Sequence, residues 1–238
     1  MNECNEHHSC ANCPSRLSTE WRDLGADELT IIDRAKRTQK HVPGVALFNQ
    51  GDDPTGLYCI QSGLIGLRRL DSEGKSVLLR LCSAGTTVGY RAFLSKTPHA
   101  NSAEVLAPSI VCFIDRSTAT DLLKRSPRLG ERFLQHALSD LGETEDDYAR
   151  RQTTSLRTRF LHVMMVFYEQ IGYRDEAGYP AFDLPIKKSE LAEIIGVQPE
   201  SISRVIHSVQ AQGLMKILDR RIQFRDMDRV LRDAGAEF

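Results

Sequence analysis

The sequence predicts an α+β chain: an N-terminal antiparallel β unit, one long helix, and a small helical unit that closes on a β-hairpin. Three observations carry this. Between about residues 41 and 115, short apolar runs (VALFN, GLYCIQSG, LIGLRRL, SVLLRL, SIVCFI) are broken by Gly44, Gly51, Gly56, Gly63, Gly74 and Gly85. Short strands joined by tight turns at close intervals read as an antiparallel roll, barrel or sandwich. After Pro127 the apolar residues recur at helical spacing, first at Leu129, Phe133, Ala137 and Leu141, then at Leu156, Phe160, Leu161, Val163, Met164 and Phe167. That length predicts one long helix and a successor. Beyond Pro185, two helical stretches flank Gly196, and the run from Gly213 through LMKIL, Asp219-Arg220 and RIQF reads as a hairpin.

Composition bounds the function. Of 238 residues, 41% are hydrophobic and 26% charged, the make-up of a soluble globular protein with room for two modest domains. No apolar run approaches the ~20 residues needed to cross a bilayer. The opening MNECNEHHSCANCPSR lacks the basic-then-apolar layout of a signal peptide. A cytoplasmic protein with no membrane partner is expected. Neither a Ser/His/Asp order, a P-loop nor a Rossmann glycine pattern is present, so no enzyme is expected. The net charge of −1 conceals an uneven distribution. Lys187 to Arg232 holds nine Lys or Arg against six Asp or Glu, which suits local contact with phosphates.

Four segments follow along the chain. Residues 1–25 form a polar arm carrying Cys4, Cys10 and Cys13, three of the six cysteines. Residues 26–125 form the β unit, led by a helix over about 26–36 with Leu29, Ile31, Ile32 and Ala35 inward. Residues 126–158 form the long helix. Its narrow apolar stripe (Leu129, Phe133, Ala137, Leu141 and Tyr148) predicts a dimerisation element and hence a homodimer. Glu143, Glu145, Asp146 and Asp147 on that helix would oppose pairing by like-charge repulsion. Residues 159–238 form the last unit, entered through a turn-rich gap from Asp175 to Pro180.

The stretch KSELAEIIGVQPESISRVI (188–206) has the requirements of a helix-turn-helix. Ala192 is small enough for two helices to cross, Gly196 tolerates positive φ in the turn, and Ile202 anchors the second helix, with Leu191 and Val205 completing a small core. Pro199 suits the first turn of that helix. With the hairpin behind it, the unit is a winged helix. Burial of Ile202 and Val205 turns Glu200, Ser201, Ser203, Arg204 and His207 outward. Arg can pair with guanine, Glu can accept from cytosine, and Ser is adaptable. Lys187, Lys188 and Ser189, opening the first helix, suit phosphate contact. Double-stranded DNA is the expected partner.

In a reducing compartment, clustered thiols more often mean metal or redox chemistry than structural disulfides. Three readings are open. Iron–sulfur clusters take four thiolates; Cys4, His7, His8, Cys10 and Cys13 suit zinc; Cys10 and Cys13 suit a thiol–disulfide switch. A thiol oxidoreductase built on Cys10-Ala-Asn-Cys13 lacks the strand before and the helix after that its motif requires. Cys59 and Cys82 fall in expected strands, where a small buried thiol is the ordinary reading and metal ligation the alternative.

From about residue 26 to the end, the glycine-punctuated roll, long helix and winged helix bearing Glu200-Ser-Ile-Ser203-Arg204 resemble the CRP/FNR family of bacterial transcription regulators. The resemblance implies a cyclic-nucleotide-binding-like β-roll and a two-fold dimer reading an inverted repeat, with RNA polymerase as a partner. Glu200, Ser203 and Arg204 are similar to the residues with which the FNR branch reads a TTGAT-type half-site. Cyclic-nucleotide-binding members carry Gly-Glu and Arg-Ser pairs. Here Tyr90 stands in place of the Glu and Asn101-Ser102 in place of Arg-Ser, so a cyclic phosphate would lack its counter-charge and no cAMP is expected. The resemblance further implies a [4Fe–4S] cluster responding to oxygen or nitric oxide, held by Cys4, Cys10, Cys13 and Cys112. In FNR-type arms the third cysteine follows a C-x-x-C pair; here Cys4 precedes it.

Overall fold

The computed structural model describes residues 9–74 and 76–235. The chain divides into two compact units, the first made of residues up to 75 and 81–141, the second of 76–80 and 142 onward.

The first unit is the expected roll. Its arm is a run of short 3-10 turns over Cys10–Asn12, Pro14–Ser18 and Glu20–Asp23. Helix α1 (Ala26–Ala35) follows, opened by the Glu28 carboxylate accepting from the Gly25 amide at 2.8 Å. The strands are β1 (Arg37–His41), β2 (Ala46–Phe48), β3 (Gly56–Leu70), β4 (Ser76–Ser83), β5 (Thr87–Val88) and β6 (Ser102–Asp115). They lie in the order β1-β6-β3-β4, with β2 joined to β6 and β5 to β3, and the β1–β6, β2–β6, β3–β5 and β3–β6 pairs are antiparallel. Short helix α2 (Tyr90–Ser95) interrupts them, and α3 (Arg116–Arg125) ends the roll.

Two runs expected as separate strands, GLYCIQSG and LIGLRRL, are one strand, β3. Gly63 sits inside it at φ +97° beside shifts of register, so the glycine bends the strand rather than ending it. A Cβ there would collide with Ser109 Oγ and the Pro108 carbonyl.

The arm is more deeply embedded than a polar segment suggests. Trp21, Thr19 and Glu20 are buried. Trp21 packs edge-on against Phe133 at 5.5 Å, in a core with Ile32, Leu57, Phe93 and Leu122. A second core inside the roll gathers Phe48, Ile60, Ile65, Cys82, Val105 and Val111.

Helix α4 (Pro127–Thr153) and helix α5 (Leu156–Ile171) are the long helix and its successor, and α4 ends a few residues before the expected limit at 158. The break falls where Ser155 turns its hydroxyl to accept from the Thr158 amide, an N-cap that starts a new helix. Leu129 and Phe133, expected in the dimer stripe, are only 2% and 1% exposed and belong to the roll's own core, with Ala137 packed beside them. The apolar residues of α4 that face solvent are Leu134, Leu138, Leu141 and Tyr148, at 61, 59, 55 and 69% exposure. The expected stripe is thus divided: Leu129 and Phe133 fill a core and are not open to a partner, whereas Leu141 and Tyr148 face solvent together with Leu134 and Leu138.

In the second unit, α5 presents Phe160, Leu161, Met164 and Phe167 to the core. The expected gap at 175–180 is a hairpin turn between β7 (Tyr173–Arg174) and β8 (Pro180–Asp183). The Asp175 carboxylate closes it by accepting from the Ala177 and Tyr179 amides. These strands extend the wing β9 (Met215–Leu218) and β10 (Arg221–Phe224) into one sheet, β7-β8-β10-β9. Phe182 stacks on Phe167 at 5.8 Å and lies 6.0 Å from Phe224. Helices α6 (Lys188–Ile195), α7 (Pro199–Ala211) and α8 (Met227–Ala234) complete the unit. No described helix is long and apolar enough to cross a membrane.

Candidate nucleic-acid interface and sulfur cavity

Helices α6 and α7 meet as the sequence requires. Ala192, Leu191 and Ile202 are buried at the crossing. Gly196 ends α6 at φ +76°, and its amide donates to the Ala192 carbonyl at 2.8 Å. A Cβ on Gly196 would lie 3.3 Å from the Arg151 guanidinium. Helix α6 is opened by Glu190, whose carboxylate accepts from the Lys187 amide at 2.7 Å. The small core differs in one member: Val205 is half-buried, and Ile206 and Val209 turn inward instead. From Ile202, steps of four and then three residues reach Ile206 and Val209, the i, i+4, i+7 rhythm of one helical face.

The outer face of α7 is as expected. Glu200, Ser203, Arg204 and His207 are exposed and Ser201 is half-buried. Ser203 Oγ donates weakly to the Pro199 carbonyl at 3.4 Å. Although Glu200 and Arg204 are one turn apart, no ion pair joins them among the described residues, so both heads face water. Lys187, Lys188 and Ser189 are exposed at the start of α6. Lys187, Lys188 and Arg220 border a cavity of about 260 Å³ floored by apolar residues including Leu191, Ile206 and Ile222. Arg220 is held to the body of the unit, its Nε donating to the Leu184 carbonyl at 2.9 Å.

The cysteines form a second constellation. Cys10, Cys13, Cys59 and Cys112 all line one small cavity of about 40 Å³ beneath the arm. Cys82 is buried in the separate core of the roll. Cys4, His7 and His8 lie outside the described residues. Among the described residues no three His, Cys, Asp or Glu side chains stand grouped as metal ligands. The four thiols share a cavity without yet sharing a centre.

Each thiol is fixed differently. Cys59 and Cys112 sit opposite each other in register across β3 and β6, within a row that runs Thr38, Cys112, Cys59, Thr87 over four strands. The Thr38 and Cys112 side chains are hydrogen-bonded at 3.3 Å, and the Cys59 sulfur lies 3.7 Å from Thr87 Oγ1. Cys10 is set by Asp33, whose carboxylate accepts from the Cys10 amide at 2.6 Å and from Ser9 Oγ at 2.5 Å. Lys36 is buried, donating from Nζ to Asp33 at 2.8 Å and to the Cys10 sulfur at 3.2 Å. Ser15 ties the arm to β3 by donating to the Gln61 carbonyl at 2.8 Å.

Burial governs the charges. It pushes the Cys10 thiol up to about 11 despite Lys36, and raises Cys59 and Cys112 as well. Burial also works against the Asp33 carboxylate, but hydrogen bonds from Lys36, Ser9 and the Cys10 amide outweigh it and hold Asp33 well below the usual range.

Beside the cavity a polar chain crosses to α4. Thr87 Oγ1 donates to the buried Glu20 carboxylate at 2.6 Å and accepts from Trp21 Nε1 at 3.2 Å. Glu20 also contacts His136 Nδ1, while His136 Nε2 lies 3.3 Å from Asp140. Tyr90 donates from its hydroxyl to Asp140 at 2.6 Å. Burial lowers the His136 value, but hydrogen bonds to Asp140 and Glu20 dominate and raise it to about 9.

A roll followed by a winged helix-turn-helix defines a regulator of two units whose second unit binds DNA. Comparison with known proteins agrees. The cyclic nucleotide-binding domain model matches residues 38–126 and the Crp-like helix-turn-helix domain model matches residues 158–232. The chain is 20% identical to the transcriptional activator protein FnrL of Cereibacter sphaeroides over 96% of this chain and 92% of that protein. It is 25% identical to the fumarate and nitrate reduction regulatory protein of Escherichia coli, over 86% of this chain and 80% of that one. A CRP/FNR-family transcriptional regulator of Thermus thermophilus shares the fold with a TM-score of 0.69 at 21% identity, covering 85% of this chain and all of that one. This chain belongs to the CRP/FNR family of transcription regulators.

The sequence leaves open whether Cys59 ligates a metal and gives no sign that it lies opposite Cys112. Their shared position becomes visible only once the register of β3 on β6 is known.

Proposed function

We propose that the protein is a homodimeric, site-specific transcription regulator that works with RNA polymerase and senses oxygen, nitric oxide or redox state through a cysteine-bound iron–sulfur cluster. The observation that carries the DNA-reading half is the outer face of α7, where Glu200, Ser203 and Arg204 are exposed and no ion pair joins Glu200 to Arg204 among the described residues. A bidentate Arg204 to guanine, with Glu200 accepting from cytosine, suits a TTGAT-type half-site, and a two-fold dimer pairs such sites as an inverted repeat. Lys187, Lys188 and Ser189 would position the unit on phosphates. Leu134, Leu138, Leu141 and Tyr148 offer an apolar stripe for a second copy of α4. Glu143, Glu145, Asp146 and Asp147, all exposed beside it, oppose that pairing.

The cluster reading is supported by the donor set: Cys10, Cys13 and Cys112 line one cavity, and the buried amine of Lys36 lies at 3.2 Å from one of the sulfurs. When bound, a cluster would supply reactivity toward oxygen or nitric oxide. The chain's own part is to hold it and to transmit its state. The route from Thr87, which lies beside Cys59, through Glu20 to His136 and Asp140 leads to α4. Tyr90, in the place of the nucleotide-contacting Glu, is committed to Asp140 in that route, which favours a signal other than a cyclic nucleotide.

The test is gel-shift titration of anaerobically purified protein on an inverted repeat, with iron, sulfide and zinc assayed on the same sample. Iron with sulfide and half-site-specific binding are expected. An Arg204→Ala variant should lose ~1–3 kcal/mol of discrimination at one base pair of each half-site. Undiminished discrimination would overturn the assignment, and zinc without iron would overturn the cluster.

A further inference from the structure

We propose that Cys59 is the fourth ligand of the cluster site, so that the set is Cys10, Cys13, Cys59 and Cys112 and Cys4 has no part in it. The assignment rests on the iron–sulfur reading above and changes which thiols perform it.

Cys59 is placed by strand register. Directly opposed residues of an antiparallel pair put their side chains on the same face of the sheet. Cys59 and Cys112 are such a pair, and both reach the cavity that Cys10 and Cys13 line from the arm. Four thiols from three stretches of chain thus line one cavity, and four is the number a cluster takes. Cys82 provides the contrast. It too is a strand cysteine, but it is buried in the other core among Phe48, Ile65 and Val105. Strand burial alone therefore does not bring a thiol to the cavity.

Cations stand close enough to offset the thiolate charge that burial otherwise disfavours. Four thiolates around a cluster leave net negative charge in a mostly apolar setting, which nearby cations offset. Lys36 and Arg16 both line the cavity. Lys36 already donates to Cys10, and Arg16 Nε is buried without a hydrogen-bond partner among the described residues.

The four ligands also divide mechanically. Cys59 and Cys112 are fixed by the ladder of a six-stranded sheet, whereas Cys10 and Cys13 stand on short 3-10 turns of the arm. A cavity of about 40 Å³ has room for water-sized occupants only. Loading therefore needs the arm to shift outward while the strand pair stays, and each thiol must give up its proton to the solvent.

The experiment uses the full chain, reconstituted anaerobically with ferrous iron and sulfide, as wild type and as Cys4→Ser, Cys59→Ser and Cys82→Ser. Iron and sulfide content and the visible spectrum should be unchanged in Cys4→Ser and Cys82→Ser and largely lost in Cys59→Ser. Circular dichroism checks that Cys59→Ser is folded. Independently of any substitution, iodoacetamide labelling of the loaded wild type should modify Cys4 while sparing Cys10 and Cys13, and all three should react after chelator stripping. A folded Cys59→Ser that loads fully, or a loaded wild type whose Cys4 is protected, overturns this assignment and leaves the cluster reading standing. A wild type that takes up no iron and sulfide overturns both.

Discussion

The outer face of α7 and the sulfur cavity are built in opposite ways. On α7 the side chains proposed to read DNA come from eight consecutive positions, 200–207, and face water or are half-buried, so the helical period alone sorts them from the core. In the cavity the thiols come from residues 10, 13, 59 and 112, they are half-buried or buried, and the pairing of distant strands and the packing of the arm on them bring them to one cavity. A local site can be changed without disturbing the fold; a site assembled from the core cannot. The same contrast predicts what substitutions do: on α7 they should cost recognition and not stability, and around the cavity they should cost stability first.

The largest effect is expected at Phe133, which is fully buried between Trp21 and Tyr90. Phe133→Ala should lower unfolding free energy by ~3–5 kcal/mol in a urea melt. Leu138→Ala, five residues on and exposed, should change monomer stability by less than ~0.5 kcal/mol yet weaken self-association in sedimentation. Equal stability losses at the two positions would remove the distinction drawn between the inner and outer sides of α4.

Next in size is a pH effect. The folded value of His136, about 9, lies above the ordinary value of 6.5. Its stabilisation is therefore complete below about pH 6.5 and is lost as the pH rises through 9. Unfolding free energy should fall by on the order of 2 kcal/mol across that window, allowing for solvent screening. Since Glu20 and Asp140 are the carboxylates facing the ring, His136→Gln should flatten the curve. An unchanged slope in that variant would assign the effect elsewhere.

The smallest effect belongs to α7. Ser203→Ala removes one long hydrogen bond on an exposed surface, so thermal stability should move by less than ~0.5 kcal/mol while half-site preference in a gel shift changes. A clear drop in melting temperature would show that this face is part of the unit's framework as well as its reader.

How much was legible in the sequence follows the same division. The helix-turn-helix was readable because its constraints are short-range: Ala192, Gly196 and Ile202 each do what their spacing required. Val205 lost its core place to Ile206 because the crossing with α6 fixes the helix rotation, which spacing alone leaves open by one position. The stripe on α4 was misread for a related reason. Helical period shows that Leu129, Phe133 and Ala137 share a face; it does not say that the arm, through Trp21, covers that face. The arm's polar composition hid this, since Glu20 and Thr19 are buried as hydrogen-bonded partners and not as apolar residues. Hairpin β7–β8 was read as a gap because strands of two and four residues leave too few alternations to register. Cys59 was the least legible, since its significance depends on a pairing more than fifty residues away.

Trp21 is the single tryptophan of the chain, it lines the sulfur cavity, and its indole is anchored to Thr87 at one end and Phe133 on one side. An indole held away from water emits toward the blue, and iron–sulfide chromophores absorb where it emits. The protein thus carries its own fluorescent gauge, placed between the thiols and the helix proposed to pair. Quenching of that emission follows the filling of the cavity, and a red shift follows the lifting of the arm, in one cuvette and without a label.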